Sequence, residues 1–497
     1  MSGEAVRRGA WAGLVAGLAA AAVMYLAAAL IGLRTLPEAL QQPVLAHMPG
    51  PVFGFLIDTL QHAGKVIEEA GLLATMVFAL SALGVASGFL ADRRGLPWSG
   101  LLAGAAAWLV VTLVLLPLTG EGLLGLGGGL TQPLAWAVVF VVYALVWNAV
   151  WSAAPAPEPD LGRRRLITAM PVGVGLGSLV LLGVLKLPGW VRDVVSPPEA
   201  GLSGPVPEIT PVGNFYIVSK NFSDPVVAET DWALRLGGMV DRPLRLDYSQ
   251  LRALPSTTQL MTLECVSNDV GGPLMSTGSF TGVSLRDLIV MASPQSSGKA
   301  VVFKSRDGYA ESAALKMVMD DPTILVAYNL DGKRLPDKHG FPARILIPGH
   351  YGMRGPKWVE EINVTDSDSG GYWEGQGWDH QAIVKTTARF DSPRDGAFLR
   401  SGAVELAGVA FAGVRGVQAV EWSADGGKSW TAADVKPPLS PLTWVLWRAT
   451  WSSAREGAYT LQVRARDGQG NWQSSQAAPS FPAGATGFHQ VRVTVSR

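Results

Sequence analysis

Five long apolar runs near the start of the sequence constrain the fold more than any other feature. Each run supplies about the 20 apolar residues that a helix needs to cross a bilayer, and none carries a charged side chain in its middle. Each must be helical, because only a helix satisfies its own backbone groups in lipid. A soluble domain can bury one such run, but five predict a membrane bundle: Ala10–Leu33, Gly71–Ala91, Ser99–Leu118, Thr131–Ala153 and Leu166–Leu187.

The composition agrees with a membrane protein. Only 16% of the 497 residues are charged, which is low for a soluble chain. Lys and Arg together number 40, as do Asp and Glu, so no excess of positive charge indicates a nucleic-acid partner. The length predicts roughly two to four domains.

Basic residues predict the orientation of the bundle. Arg7-Arg8, Arg93-Arg94 and Arg163-Arg164-Arg165 fall on one side if all five runs cross, and such clusters stay in the cytoplasm. We therefore expect a bacterial-type cytoplasmic membrane protein with its N-terminus in the cytoplasm and everything after Pro188 outside. Two alternatives stay open. The first run could be a cleaved signal peptide, and Arg163-Arg164 ahead of an apolar run also resembles a twin-arginine export signal.

The runs themselves carry little polar chemistry. No histidine lies inside a run, so a pair of histidines cannot hold a haem there, and one cysteine cannot hold an iron–sulfur cluster. Carboxylates and lysines deep in a run would mark an ion pathway, and they are missing from the runs, with Asn148 as the polar exception. We expect a lipid-embedded anchor that also serves as a docking platform for a quinone or a protein partner.

Changes of pattern divide the rest of the chain. Short strand-like runs with few helices, among them Leu285–Met291 and Ser312–Met319, predict an α+β domain. Alternating strands separated by turns such as Asp425-Gly426-Gly427 follow, and these predict an all-β, immunoglobulin-like sandwich. The predicted parts are a transmembrane helical anchor (1–190), a Pro-rich linker (191–211), the α+β domain (212–384) and the sandwich (385–497).

Cys265 is the only cysteine of the chain. It lies in Thr262-Leu-Glu-Cys-Val-Ser-Asn268, just ahead of Gly271-Gly272-Pro273. It cannot form an internal disulfide. It can be an inert buried residue, a nucleophile or a single thiolate ligand of a metal, and its own surroundings in the sequence do not decide between them.

A second cluster, from Lys338 to Trp358, is rich in basic residues and glycine. It holds four Lys or Arg and two His. Basic side chains together with backbone N–H groups exposed at glycine suit a phosphate or pyrophosphate. The alternative is a solvated loop beside a strand.

Five motifs, in order, resemble the sulfite oxidase family of molybdenum enzymes over residues 212–384. The resemblance implies a molybdenum–molybdopterin cofactor, which is a pterin dithiolene carrying a phosphate, and a dimerisation-type C-terminal domain. The motifs are Asn214-Phe-Tyr216, Thr262-Leu-Glu-Cys265-Val-Ser-Asn268, Ala327-Tyr-Asn-Leu-Asp-Gly332, His339-Gly-Phe-Pro-Ala-Arg344 and Pro348-Gly-x-x-Gly352-x-x-x-x-Lys357-Trp358.

The resemblance also implies roles for single residues. Cys265 matches the cysteine whose thiolate ligates molybdenum, and a soft thiolate suits a redox-active metal already held by dithiolene sulfurs. For Asn214 and Asp307, turn chemistry is the alternative. With Cys265, the positions implied to bind the cofactor are Asn214, Phe215, Tyr216, Asn268, Asp307, His339, Arg344, Gly352, Met353, Arg354 and Lys357.

The chain departs from the family where sulfite-oxidising members bind their substrate. The two arginines that follow the metal cysteine in those members are Asp269 and Val270 here, and Lys220 stands where the family has another arginine. A tyrosine near the metal is replaced, and counting on from Lys357 puts Trp378 in its place. We therefore expect Lys220 and Trp378 at the reaction site, and a substrate that is neutral or bulkier than sulfite, such as a sulfoxide or an N-oxide.

Together these features predict a membrane-anchored molybdopterin oxidoreductase that transfers an oxygen atom outside the cytoplasmic membrane. Without ligands for a haem or an iron–sulfur cluster, it needs an external electron carrier, a cytochrome or a quinone. A homodimer through the sandwich is a further expectation. The alternatives are a sulfite oxidase or dehydrogenase proper and a non-catalytic, cofactor-binding scaffold.

Overall fold

The computed structural model describes residues 3–46, 48, 50–96, 98–119, 122–128, 130–152, 161–195, 206–222 and 224–497. They form two compact units, a helical one largely before residue 197 and a β-rich one largely after it, and each is described by itself. Residues 196–205 of the predicted Pro-rich linker lie outside the described part.

Long helices make up the first unit. Four segments are long and apolar enough to cross a membrane: Gly3–Ile31, Ala63–Arg93, Ser99–Leu118 and Thr131–Ser152. The fifth predicted run falls in a helix whose described apolar stretch, Pro171–Leu187, is at the lower limit for a span, so the predicted count of five stays a prediction. The helices are α1 (Gly3–Ile31), α2 (Leu36–Ala46), α3 (Gly50–Arg94), α4 (Ser99–Leu118, with a π-helical turn at Val111–Leu115), α5 (Thr131–Ser152) and α6 (Leu161–Val195).

Helices α1 and α3 approach closely because both present glycine at their contact. A Cβ on Gly84 would lie 2.5 Å from the Cα of Gly13, so neither position has room for a larger residue. Tyr143 Oη donates to Leu80 O at 2.8 Å and ties α5 to α3.

A buried ion pair in this unit lies at the ends of two predicted apolar runs, just before Gly71–Ala91 and near the end of Leu166–Leu187. Glu69, on α3, lies 2.5 Å from Lys186 Nζ on α6, and only 4% of its side chain is exposed. Its oxygens also accept hydrogen bonds from Tyr25 Oη and Trp190 Nε1. A buried carboxylate is tolerated where a cation and donors surround it. The helix therefore continues well upstream of the apolar run that the sequence analysis marked.

The α+β part of the second unit has two sheets around one core. The first has the order β2-β1-β10-β5-β6, and the second has β3-β4-β7-β8 with β9 paired to β7. The elements are β1 (Ala233–Gly238), β2 (Leu244–Asp247), α7 (Tyr248–Ala253), β3 (Thr257–Glu264), β4 (Met275–Ser284), α8 (Leu285–Ala292), β5 (Ala300–Ser305), β6 (Ala310–Ala314), α9 (Leu315–Asp320), β7 (Leu325–Leu330), β8 (Lys333–Arg334), β9 (Arg344–Leu346) and β10 (Val359–Thr365).

Local sequence explains several of these elements. Asp247 caps α7 with a reciprocal capping box to Gln250, which fixes where the helix begins. β7 is buried along nearly its whole length, as a central apolar strand should be. The predicted helix Ser312–Met319 is wrong in its first half, where the chain is the end of β6 paired with β5.

The C-terminal residues form two further sheets, with orders β11-β13-β17-β16 and β12-β19-β18-β14-β15. Side chains of both sheets share one apolar core, including Leu406 and Trp447 from the first and Val463 and Val493 from the second. The predicted immunoglobulin-like character stays a prediction. The strands are β11 (Thr387–Ser392), β12 (Ala397–Arg400), β13 (Gly402–Phe411), β14 (Val417–Ser423), β15 (Thr431–Ala432), β16 (Asp434–Val435), β17 (Val445–Ala454), β18 (Gly457–Asp467) and β19 (His489–Ser496).

Candidate functional site

Cys265 stands directly after β3, at the start of a loop that its own backbone closes. Its N–H donates to Leu274 O at 3.0 Å, and its carbonyl accepts from Asn268 N at 3.0 Å. Asn268 Oδ1 in turn accepts from Leu274 N at 2.9 Å, so the predicted Asn268 shapes the loop. The thiol is buried, with Ser267 Oγ at 3.1 Å, and burial raises its pKa. The loop thus presents one protonated thiol at a fixed position.

A buried carboxyl group precedes the cysteine. Glu264 Oε1 accepts from Asn268 Nδ2 at 3.0 Å, whereas Oε2 has no partner among the described residues. Burial raises the pKa of Glu264 to about 7. Glu264 has no role predicted from the sequence, since nothing in the sequence indicates that it is buried.

Phe215 and Tyr216 form an aromatic wall near this loop. Their rings stack with centroids 5.9 Å apart, and Phe215 meets the His339 ring edge-on at 5.4 Å. Gly352 faces the wall, because a Cβ at this position would lie 2.8 Å from Tyr216 Oη. Burial, followed by the nearby Cys265, raises the pKa of the Tyr216 phenol. The structure therefore brings these predicted positions together, while Asn214 lies just before them, exposed, in a short turn.

Arg344 is a buried cation, 6% exposed at the start of β9. Its Nη1 donates to His339 O at 3.2 Å, and its Nε has no partner among the described residues. Burial lowers the pKa of Arg344 to about 10, so it stays charged. Burial, with Arg344 and Lys357 nearby, lowers the pKa of His339 to about 3, which keeps this imidazole neutral. An anionic group would supply an acceptor for Arg344 Nε and would balance the charge of the guanidinium.

Lys357 joins three segments of the chain near this site. Its Nζ donates to Val218 O at 3.1 Å and to Lys338 O at 3.0 Å, and it lies 4.3 Å from the centroid of the Trp358 ring. Gly340 packs against it with φ of +106°, a conformation that favours glycine. These contacts keep the amino group near His339, where its charge helps to hold the imidazole neutral.

Lys220 and Asp307 meet although they are distant in sequence. Lys220 Nζ donates to Asp307 O at 2.8 Å and lies 3.8 Å from Asp307 Oδ2. Asn221 accepts from the same Nζ at 2.8 Å and donates to Asp307 Oδ2 at 2.9 Å. The Lys220 charge is thus largely neutralised by its neighbours, and the ring of Tyr372 lies 5.4 Å from it.

The turn Gly352–Arg354 links the aromatic wall to a carboxyl-rich region. Tyr309 Oη donates to Met353 O at 2.6 Å. Arg354 Nη1 lies 2.7 Å from Glu374 Oε1 and 3.2 Å from Glu311 Oε1, and its Nε has no partner among the described residues. Arg354, predicted to contact the cofactor, thus already bonds two carboxyl groups that the sequence analysis did not single out.

Two aromatic residues are candidates for the position beside the thiol. Trp378 is buried and meets Phe481 edge-on at 5.3 Å, with no partner for its Nε1 among the described residues. Tyr351, which has no predicted role, is buried, and burial, followed by the nearby Glu264 and Cys265, raises the pKa of its phenol. Its hydroxyl accepts from Lys385 N at 3.1 Å. A place for Trp378 at the reaction site stays a prediction.

The C-terminal β domain contacts the loop behind the cysteine. Arg389, on β11, donates from Nη1 to Gly272 O at 2.6 Å. The ring of His489, on β19, lies against Gly271, where a Cβ would overlap it. No signal in the sequence indicated these contacts, because they join residues more than 100 positions apart.

Residues 221–373 match the family model of the oxidoreductase molybdopterin-binding domain. The chain is 27% identical to sulfite oxidase from Gallus gallus over 320 residues, which cover 54% of this chain and 69% of that protein. It is 27% identical to mitochondrial sulfite oxidase from Homo sapiens, covering 52% of this chain and 57% of the relative. NADH nitrate reductase from Volvox carteri is 32% identical over 185 residues, 32% of this chain and 21% of that protein.

Among solved structures, the sulfane dehydrogenase SoxCD from Paracoccus pantotrophus has a similar fold. The TM-score is 0.52 at 22% identity, over 60% of this chain and 86% of that chain. At this identity the likeness concerns the fold alone. The alignments with the mammalian relatives leave more than a third of each relative unmatched, since they cover 57% of them.

Proposed function

We propose that this chain, whose molybdopterin-binding domain belongs to the sulfite oxidase family, is a membrane-anchored oxidoreductase that transfers an oxygen atom between water and a small molecule. The observation that carries the proposal is Cys265, a buried thiol on a loop closed by its own hydrogen bonds. Tyr216 lies within electrostatic reach of both this thiol and the buried Arg344. A purely structural cysteine needs none of these neighbours.

The donor set suits molybdopterin. Arg344 Nε is a buried donor that an acceptor of the cofactor would satisfy. Gly352 leaves free the space beside Tyr216 that any side chain would fill. When bound, the cofactor supplies two-electron redox chemistry at molybdenum, with Cys265 Sγ as its protein ligand. Cys265 would hold the metal as a thiolate, so the proton that burial retains would leave when the metal binds.

The residues of the chain then hold and orient the reactants. Arg344 and Lys357 place positive charge where the phosphate-bearing pterin would lie, and the neutral His339 offers a hydrogen bond without adding charge. Phe215 and Tyr216 exclude water from one side. Lys220, held by Asp307, is the candidate for orienting the substrate.

We propose a substrate that is neutral or bulkier than sulfite. Asp269 and Val270 replace the two arginines of sulfite-oxidising members, and Lys220 is paired with Asp307. The buried Glu264 adds a further acidic group next to the thiol. A small dianion would meet carboxyl groups with few free cations to offset them. Sulfoxides and N-oxides avoid that repulsion.

The apolar helices support a lipid-embedded anchor, and the arginine clusters support a cytoplasmic N-terminus with the catalytic domain outside. Electrons would pass to or from an external carrier, a cytochrome or a membrane quinone. The C-terminal β domain is the candidate surface for a homodimer.

Elemental analysis of the purified full chain, expressed in cells that make the cofactor, tests the proposal. We expect molybdenum near one atom per chain. Cys265→Ser should lower oxygen-atom transfer more than roughly 100-fold. Ser267→Ala, which removes only the 3.1 Å contact to the thiol, is the matched control and should retain activity. Wild-type protein without molybdenum, or an active Cys265→Ser variant, would refute the function.

A substrate panel decides between the candidate activities. The relatives named sulfite oxidase favour sulfite as the second candidate. Turnover of a sulfoxide or an N-oxide, with kcat/KM for sulfite much lower, supports the proposed substrate class. Efficient sulfite oxidation would overturn it, and bound molybdenum without any turnover would indicate a scaffold.

A further inference from the structure

Two buried carboxyl groups share one arginine beside the Gly352–Arg354 turn. Arg354 Nη1 contacts Glu311 Oε1 at 3.2 Å, and the Glu311 side chain is 0% exposed. The same nitrogen contacts Glu374 Oε1 at 2.7 Å, and that side chain is 8% exposed. Two carboxylates with one guanidinium would leave a net negative charge away from water, which is costly.

The contacts around the pair favour a bound proton. Glu374 accepts from Arg354 and from Gly371 N at 2.8 Å, and its Oε2 lies 2.8 Å from His380 Nδ1. Glu311 Oε1 accepts from Ser312 N at 2.9 Å, whereas Oε2 is buried without a donor among the described residues. An ionised carboxylate needs donors at both oxygens, so a protonated Glu311 suits this arrangement. Burial raises the pKa of Glu311 to about 8 against the opposing charge of Arg354.

A short path leads from the pair to solvent. His380 Nδ1 contacts Glu374 Oε2, and its Nε2 lies 3.4 Å from Asp368 Oδ2. The His380 side chain is 55% exposed, and that of Asp368 is 33% exposed. Histidine gains and loses protons near neutral pH, so it suits the outer end of such a path.

The inner end lies close to the proposed cofactor site. Arg354 follows Gly352 by two residues, so their Cα atoms are at most about 7.6 Å apart. Gly352 itself lies against Tyr216 Oη and the carbonyl of Glu264. Tyr309 is a further titratable group near Glu311. Its hydroxyl donates a hydrogen bond to Met353 O, which holds it in place.

We infer that the Glu311–Glu374 pair is a proton-transfer site of the reaction and that His380 connects it with solvent. This inference rests on the proposed function. A substrate that takes an oxygen atom from water releases two protons and two electrons, and the external cytochrome or quinone accepts the electrons. In the step assigned to the pair, the proton passes from Glu311 to Glu374. The O–H bond at Glu374 then breaks as an N–H bond forms at His380 Nδ1, which carries no proton before the step. His380 Nε2 then releases its proton to Asp368 or water, and the reverse direction delivers protons.

Infrared spectroscopy and kinetics on the full chain in detergent test the inference. We expect a carboxylic-acid carbonyl band at neutral pH that shifts in D₂O and weakens in Glu311→Gln, where Glu264 still contributes. Glu311→Gln and Glu374→Gln should lower kcat on the order of 10²-fold with little change in KM. Glu361→Gln, which alters an exposed partner of Arg235, is the matched control and should keep both the band and kcat.

His380→Ala decides the question even if the glutamine variants fail to fold, because His380 is exposed. We expect a lower kcat that added imidazole restores. A wild-type kcat and pH profile in His380→Ala, with no effect of imidazole, would overturn the inference. Protein that lacks molybdenum and all turnover refutes the proposed function instead. In that protein the infrared band still reports whether the pair holds its proton.

Discussion

Arg344 is the residue on which cofactor retention should depend most. Its buried Nε has no acceptor among the described residues, and no carboxylate among them pairs with its guanidinium. We expect Arg344→Gln to weaken cofactor retention roughly 10- to 100-fold, because a hydrogen bond to a charged group contributes about 1.5–3 kcal/mol. Arg344→Lys should rescue part of this loss, since lysine keeps the charge without the planar fork.

Molybdenum per chain after extensive dialysis measures this loss. Arg492→Gln, which alters an exposed arginine paired with Asp395, is the control and should retain its metal. Full molybdenum content in Arg344→Gln would contradict the anion-binding role of Arg344.

Glu311 should make the stability of the chain depend on pH. Its pKa is about 8 in the folded chain and about 4.3 in an unfolded one. Between these values only the folded state holds the proton. The stabilising effect of this proton on the folded state is thus complete below pH about 4 and is lost as the pH rises through 8. The change is on the order of 5 kcal/mol.

The thermal midpoints of wild type and Glu311→Gln, each measured at pH 5 and pH 8.5, check this expectation. The wild type should lose more stability over this interval than the variant, whose amide does not titrate. An equal loss of stability in the two proteins would mean that Glu311 is ionised at both pH values. Comparing the two proteins removes the contribution of Glu264, which also titrates here.

Among the structural elements, the loop between β3 and β4 depends on contacts with the C-terminal sheets. Gly271, with φ of +81°, lies against the ring of His489, and Arg389 holds the neighbouring carbonyl of Gly272. We expect Gly271→Ala to displace the loop and move Cys265, at a cost of about 1–3 kcal/mol. Arg389→Gln should act in the same direction through the lost charged hydrogen bond.

The electron paramagnetic resonance signal of Mo(V) measures this displacement, because it responds to the orientation of the cysteine sulfur. Gly375→Ala is the control, since a Cβ there meets nothing within 4 Å. An unchanged signal in both Gly271→Ala and Arg389→Gln would show that the C-terminal domain does not position the thiol.

The elements that the sequence predicted well are those whose own pattern determines them. The strand Val417–Ser423 and the helix beginning at Leu285 agree with the structure, because alternation and amphipathic spacing are local signals. The sequence predicts a helix at Ser312, but this residue lies on β6. That strand forms only by pairing with β5, and the buried Glu311 beside Ser312 looks polar in sequence.

The residues of the candidate site likewise fall into those that the sequence predicts and those that it does not. The loop of Cys265 and the segment from His339 to Lys357 could be found from spacing and resemblance, because their residues are contiguous. Contacts between distant segments could not: Lys220 with Asp307, Arg354 with Glu311, and Arg389 with Gly272. Such pairs follow from the packed fold, and a single sequence carries no signal for them.

At the scale of the whole molecule, the orientation in the membrane follows from the cost of moving arginine. Transfer of an arginine to the bilayer centre costs about 2.5–3.5 kcal/mol on insertion scales, so the three arginine clusters should stay on the cytoplasmic side. Trp98, after the second cluster, should then face the cytoplasm, and Leu130, beyond α4, should face outward. Val226, in the β-rich unit, should also face outward if α6 crosses the membrane. These side chains are 63%, 74% and 83% exposed.

Single-cysteine labelling measures all three positions, because Cys265 is the only native cysteine and Cys265→Ser leaves a cysteine-free chain. In intact cells, a membrane-impermeant maleimide should label Leu130→Cys and Val226→Cys, and Trp98→Cys only after lysis. The reversed pattern would place the arginine clusters outside and refute the orientation. Labelling of Leu130→Cys without Val226→Cys would mean that α6, with its short apolar stretch, does not cross. The catalytic domain would then lie in the cytoplasm, and the electron carrier would have to be sought there.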